Sequence, residues 1–105
     1  MISVRTYGDA GVREVEDPND ISEIVGNGEL VWVDLFEPDD ADFECVAREF
    51  ALHALAMEDA RKHGQRPKLE HYPSHAFIVA YTAELAEVEI FVGPGWVGTV
   101  RGATE

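Results

Sequence analysis

Three features of this 105-residue chain predict an α/β fold, a mixed, largely antiparallel sheet covered by helices. Phe43, Val46, Ala47 and Phe50 fall at i, i+3, i+4 and i+7, the spacing of one apolar helix face. Runs rich in β-branched and aromatic residues lie on both sides of that helix. The later runs are joined by short Gly- and Pro-containing turns, which favour antiparallel hairpins. Helices lying between strand groups therefore point to a single domain, residues 1–105, large enough for a modest core.

Taken in order, residues 3–7 and 12–16 read as short strands around the Gly8-Asp9-Ala10-Gly11 turn. Asp17-Pro18-Asn19-Asp20 carries helix-start chemistry, and Ile21, Ile24 and Val25 give the short helix that follows its apolar face. Gly26-Asn27-Gly28 ends it, since glycine and asparagine tolerate a left-handed cap. Residues 30–35 are almost continuously apolar, as in a strand covered on both faces, and Asp34 within them needs polar partners if buried. Asp39, Asp40 and Asp42 stand at the positive end of the amphipathic helix, where each carboxylate is favoured by roughly 0.3–1 kcal/mol. His53 opens a second helix with Leu55 and Ala56 inward, Gly64 closes it, and Pro67 forces the chain extended. Strands are expected at residues 68–72, 75–84, 87–92 and 96–101, with Gly93-Pro94-Gly95 as a turn rather than a phosphate loop. Residues 102–105 have the look of a cut end.

Charge narrows the function. Twenty-one acidic residues against eight basic ones leave a formal net charge of −13, which repels phosphate backbones and argues against nucleic-acid binding. Such a surface draws divalent cations, selectively only where carboxylates converge. No apolar run approaches the ~20 residues that cross a bilayer. The single cysteine, Cys45, excludes an internal disulfide and a thiolate zinc site, and it reads as a packing residue. His71 and His75 have the spacing of a helical metal pair, but Pro73 between them argues against a helix. No nucleophile, triad or metalloprotease motif is present, so an enzyme is not expected.

The candidate site is the acidic pair Glu58-Asp59. On a helix adjacent side chains diverge by about 100°, so the pair needs another surface to complete an ion site. The plain alternative is an exposed helix end with Glu58 paired to Lys62 and Asp59 to His63. In Gln65-Arg66-Pro67-Lys68, Arg66 and Lys68 are expected to pair with carboxylates such as Glu70.

These residues carry a resemblance. His53, Leu55, Glu58, Asp59, Gln65, Arg66, Pro67, Lys68, Glu70 and Tyr72 stand where the amino-terminal cytoplasmic domain of CorA-like divalent-cation transporters has its His-Pro-Leu-x-x-Glu-Asp and Gln-Arg-Pro-Lys-x-Glu motifs. Ala54 replaces the usual proline. The blocks Val31-Trp32-Val33-Asp34-Leu35, Val88-Glu89-Ile90-Phe91-Val92-Gly93 and Thr99-Val100-Arg101 also match. The resemblance implies an α/β/α sandwich, ahead of a stalk helix and two membrane helices that this chain does not contain. It implies a regulatory role in Mg²⁺ transport, with Asp59, and secondarily Glu58, holding a regulatory Mg²⁺ against the neighbouring subunit's stalk helix. It further implies a homopentamer at the cytoplasmic face of the cell membrane, without direct membrane contact from this segment. Co²⁺ or Zn²⁺ remain possible ions, a zinc transporter of the ZntB kind and a free-standing interaction domain remain alternatives, and Mg²⁺ binding by the isolated domain is expected to be weak.

Overall fold

In the computed structural model, residues 1–9, 11–62 and 64–102 are described. Strands β1 (Ile2–Gly8) and β2 (Gly11–Val15) form a hairpin, followed by α1 (Ile21–Gly26), β3 (Leu30–Phe36), α2 (Asp40–Phe50) and α3 (Ala54–Ala60). The chain ends in four consecutive strands, β4 (Lys68–Tyr72), β5 (His75–Tyr81), β6 (Glu87–Gly93) and β7 (Trp96–Arg101). All seven strands join one sheet in the order β2-β1-β3-β7-β6-β5-β4. Among the described residues only β3 and β7 run parallel: α2 and α3 bring the chain back to the end where β3 finishes, and β4, β5 and β6 then alternate in direction to reach β7. The other pairings are antiparallel, so the α/β class with a mixed, largely antiparallel sheet is as predicted.

Alternate strand residues make the core. Val4, Val31, Val33, Leu35, Phe77, Val79, Phe91, Trp96 and Val100 are buried on one sheet face. Ile21 and Ile24 of α1, Phe43, Val46 and Phe50 of α2, and Ala56, Met57 and Ala60 of α3 close over that face in one continuous cluster. Phe50 stacks on Trp96 with ring centroids 4.0 Å apart, which locks α2 to the central strand β7. The second face is not matched within these residues. Trp32 is 37 % and Leu30 50 % exposed, so the expectation that residues 30–35 are covered on both faces is corrected to burial on alternate residues only. The apolar outward residues of β3 reflect strand propensity, not two-sided burial.

Local chemistry explains the element ends. Asp39 accepts a hydrogen bond from the Asp42 backbone N–H while the Asp42 carboxylate accepts one from the Asp39 N–H, a reciprocal cap that starts α2. Asp17 accepts from the Asn19 N–H and opens a single 3₁₀ turn, Pro18–Asp20, ahead of α1. The left-handed residue after α1 is Gly28, at φ 89°, whereas Asn27 sits at φ −84°. Asp34 has the partners a half-buried carboxylate requires. Thr99 Oγ1 donates to it at 2.7 Å and Arg101 Nε at 3.0 Å, and the Trp32 indole N–H donates to Thr99 in turn.

Candidate functional site

Helix α3 is held at its start by His53, whose Nδ1 accepts the Leu55 N–H at 3.1 Å. The same imidazole lies against the Tyr72 ring, centroids 4.4 Å apart, and so ties the helix to β4. Burial of Ala56, Met57 and Ala60 sets the helix rotation. These lie at i, i+1 and i+4, which turns Leu55 outward at 58 % exposure and corrects its predicted inward position. Met57 takes the inward place instead. The helix ends at Ala60, with Gly64 left-handed at φ 71° in the loop beyond it rather than at the cap.

This rotation places Glu58 and Asp59 on the outer side. They were expected to diverge, yet both reach the same cation, Lys62. Its Nζ lies 3.8 Å from Glu58 Oε1 and 3.5 Å from Asp59 Oδ1. The length of the lysine side chain makes this possible, because it folds back over one helical turn and sits between two carboxylates whose own stems point apart. Asp59 uses its other oxygen on Lys68, at 2.8 Å, and Lys68 also meets Glu70 at 3.2 Å. Gln65 Nε2 donates to the Asp59 carbonyl at 2.6 Å, holding the basic loop against the end of the helix. Asp59, Lys62, Gln65, Arg66, Pro67 and Lys68 line an open cleft of about 580 Å³.

The electrostatics follow. The hydrogen bond from Lys68 holds the Asp59 carboxyl below its ordinary range, the opposing cost of burial being outweighed with help from the Lys68 and Lys62 charges. Lys68 is raised in turn, first by its bond to Asp59 and then by Glu70. Asp59 is thus an ionised, half-buried carboxylate with a side chain 20 % exposed, while Glu58, at 64 %, reaches into solvent. Hard carboxylate oxygens suit Mg²⁺ better than the nitrogen and sulfur sets zinc prefers. Among the described residues no group of three or more His, Cys, Asp or Glu converges as a metal site. Among the described residues, two carboxylates on one cation are therefore the most that converge.

Of the pairs expected from sequence, Glu58–Lys62 and Lys68–Glu70 are present. The Asp59–His63 pair lies outside the described residues. Arg66 has no ion pair among the described residues, contrary to expectation, because Lys68 takes both nearby carboxylates. His71 and His75 occupy paired strands on opposite sheet faces, the first exposed and the second buried, and form no shared site. Cys45 is half-buried on α2, and burial pushes its thiol up, away from thiolate reactivity. Sequence reasoning missed the Asp59–Lys68 contact, since nine positions and a Pro turn separate the pair. It also missed Glu87 and Glu89, which alternate in phase with Phe91 on β6 and are buried.

Comparison with known proteins bears on the family and the fold. The profile of the family described as CorA-like Mg²⁺ transporter protein matches residues 27–95. YfjQ of Bacillus subtilis (strain 168), whose name assigns it metal ion transport, is 41 % identical over 73 residues, which are 65 % of this chain and 23 % of that protein. The magnesium transporter ALR2 of Saccharomyces cerevisiae is 31 % identical over 87 residues, 76 % of this chain and 10 % of its own length. This chain therefore spans about a quarter or less of the relatives it matches. The soluble domain of CorA from Methanocaldococcus jannaschii superposes with a TM-score of 0.67 at 14 % identity, over 92 % of this chain and 39 % of that one. The full-length CmaX protein superposes at 0.69 and 12 %, covering 94 % and 34 % respectively. At those identities the likeness is one of fold.

Proposed function

The chain belongs to the CorA-like Mg²⁺ transporter family, and from that membership we propose that it is a regulatory domain that senses divalent cations and gates their transport. One observation supports this reading above the others. Glu58 and Asp59, fixed on the outer side of α3 by its buried face, converge on a single cationic atom of the exposed Lys62 side chain. An ammonium in that position marks where the local field favours positive charge, and a long, 55 % exposed lysine is readily displaced.

In this reading Asp59 is the principal ligand. It exchanges Lys62 for the ion on Oδ1 while Lys68 keeps Oδ2 in place, so the carboxylate is oriented before the ion arrives. Glu58 is secondary, being more exposed and less constrained. Mg²⁺ keeps several waters and is held by one or two carboxylates, so the site needs an acidic surface opposite to become tight. The stalk helix of a neighbouring subunit in a homopentamer is the proposed source of that surface. Two acidic faces repel until a cation lies between them, so loss of the ion loosens the interface and biases the assembly toward conduction. The domain acts by binding rather than catalysis, and its place is the cytoplasmic face of the membrane. No helix among the described residues is long and apolar enough to cross a membrane. Transport itself is therefore assigned to other parts of the full-length protein.

The test is Mg²⁺-dependent closure in the full-length protein. Asp59→Asn is expected to shift closure to higher Mg²⁺ by about tenfold or more, and Glu58→Gln by less, in line with a typical coupling of 1–3 kcal/mol. Closure at unchanged Mg²⁺ in Asp59→Asn would sink the assignment.

A further inference from the structure

Two carboxyl groups lie in the core layer with no role in the site above. Glu87 and Glu89 are two apart on β6 and so point to the same, helix-covered face, where they are 6 % and 1 % exposed. Val79 of β5 and Val100 of β7 flank Glu89 on the neighbouring strands. Oε2 of each glutamate is buried and has no hydrogen-bond partner. Glu87 Oε1 is better served, accepting the Gly64 N–H at 2.9 Å and lying 3.2 Å from the Tyr81 hydroxyl.

Two ionised carboxylates in such a layer are strongly disfavoured, since each loses its water and repels the other. Among the described residues, the titratable groups that act on them are each other and Tyr81. The buried residues that α3 turns toward the sheet, Ala56, Met57 and Ala60, are uncharged. Lys68, on the strand beyond β5, is committed to Asp59 and Glu70. Among the described residues no third metal-ligating group converges with the two glutamates. A proton remains as the neutralising ligand.

The hydrogen-bond inventory asks for the same thing. Tyr81 has one hydroxyl proton but faces two acceptors, the Gln65 carbonyl and Glu87 Oε1. Its single proton serves the two acceptors only in part, so charge on Glu87 is incompletely compensated there. Glu87 and Glu89 project to the same buried face two residues apart, and one proton on the pair halves the charge held there.

We propose that Glu87 and Glu89 form a proton-sharing pair whose protonation clamps the loop at residues 64–67 to the sheet. In the protonated state the pair carries a single negative charge, and Glu87 holds the Gly64 N–H while Tyr81 holds the Gln65 carbonyl. When the proton leaves to water the pair becomes doubly charged. Glu87, nearer the strand end and the solvent, is the one that swings out, releasing Gly64 and Tyr81. The loop so freed carries Gln65, which braces the Asp59 carbonyl, and runs into Lys68. Alkalinisation is thus relayed to the Asp59 cleft without titration of Asp59 itself. The inference concerns proton binding only and stands whether or not Asp59 holds an ion.

The experiment is a carboxyl and amide NMR titration of the 105-residue chain between pH 5 and 9 (a range set by ordinary carboxylate and shifted values). One glutamate signal is expected to titrate near 8, where burial first and then Glu87 push Glu89, with the Gly64 amide shift following the same midpoint. Glu89→Gln, which keeps a donor, is expected to abolish that Gly64 transition, and His63→Gln to leave it in place. Glu87→Gln serves the same purpose should Glu89→Gln fail to fold. Titration of Glu89 in the ordinary carboxylate range, or a Gly64 transition that disappears with His63, would overturn the proposal.

Discussion

Replacing Lys68 by methionine and Asp59 by asparagine, singly and together, measures how firmly the lysine holds the candidate ligand. The Asp59–Lys68 contact is a 2.8 Å charge-assisted hydrogen bond between side chains 20 % and 32 % exposed. At this separation two unit charges attract by about 1.5–3 kcal/mol at an effective dielectric between that of water and about half of it. Partial desolvation and the rotamer entropy of a fixed lysine remove part of this, leaving a coupling of about 1 kcal/mol. Urea denaturation at pH 7 in low salt, analysed as a double-mutant cycle, should return that figure and lose about half of it in 1 M salt. The pH dependence has a definite sign. The folded state lowers the Asp59 carboxyl below its ordinary 3.8, so the contribution is complete above 3.8 and is lost as pH falls through the lower folded-state value. A coupling below ~0.3 kcal/mol, or one unaffected by salt, would refute the view of Asp59 as a lysine-oriented carboxylate.

Other outcomes follow from the same geometry. Lys62→Met removes the cation shared by Glu58 and Asp59, and isothermal titration of the isolated chain should show Mg²⁺ binding strengthened roughly threefold to tenfold, within the range of one nearby charge. Gly93→Ala places a methyl carbon 2.3 Å from the Trp96 ring, against which Phe50 is stacked, and should cost about 1–3 kcal/mol by chemical denaturation. Ala51, left-handed at φ 51° and ψ 50° after α2, should stabilise the fold by roughly 0.5–1 kcal/mol when changed to glycine, seen as a higher urea midpoint. Burial, and then His53, hold the His75 imidazole below its ordinary 6.5, so its contribution is complete above 6.5 and is lost as pH falls through the lower folded value. His75→Gln should flatten that acid limb of the stability profile.

Much of this molecule was legible along the chain. The amphipathic face of α2, the acidic cap at Asp39–Asp42 and the turns that divide β4 to β7 all arise from interactions within a few residues, and each appears near its expected position. The Glu58-Asp59 pair and its Glu58–Lys62 contact belong to the same class, since i, i+4 geometry is set by the helix alone. The motif blocks also identified the family, because their order and spacing do not depend on knowing how the strands are paired.

Tertiary structure decided the rest. Which side of residues 30–35 is buried depends on which face the helices close, and an apolar run carries no mark of that choice. Leu55 and Met57 exchanged roles because a seven-residue helix can rotate to bury either, and contact with the sheet chose Met57. Lys68 came to Asp59 only after β4 had paired at the sheet edge beside β5, bringing residues from either side of a proline turn together. The burial of Glu87 and Glu89 is the clearest case. Alternating glutamates read as a solvated strand face, yet the register that puts Phe91 opposite Phe77 carries both carboxyls into the core with it. Period-two geometry binds the three residues to one face, and the larger gain from burying the aromatic ring sets which face that is.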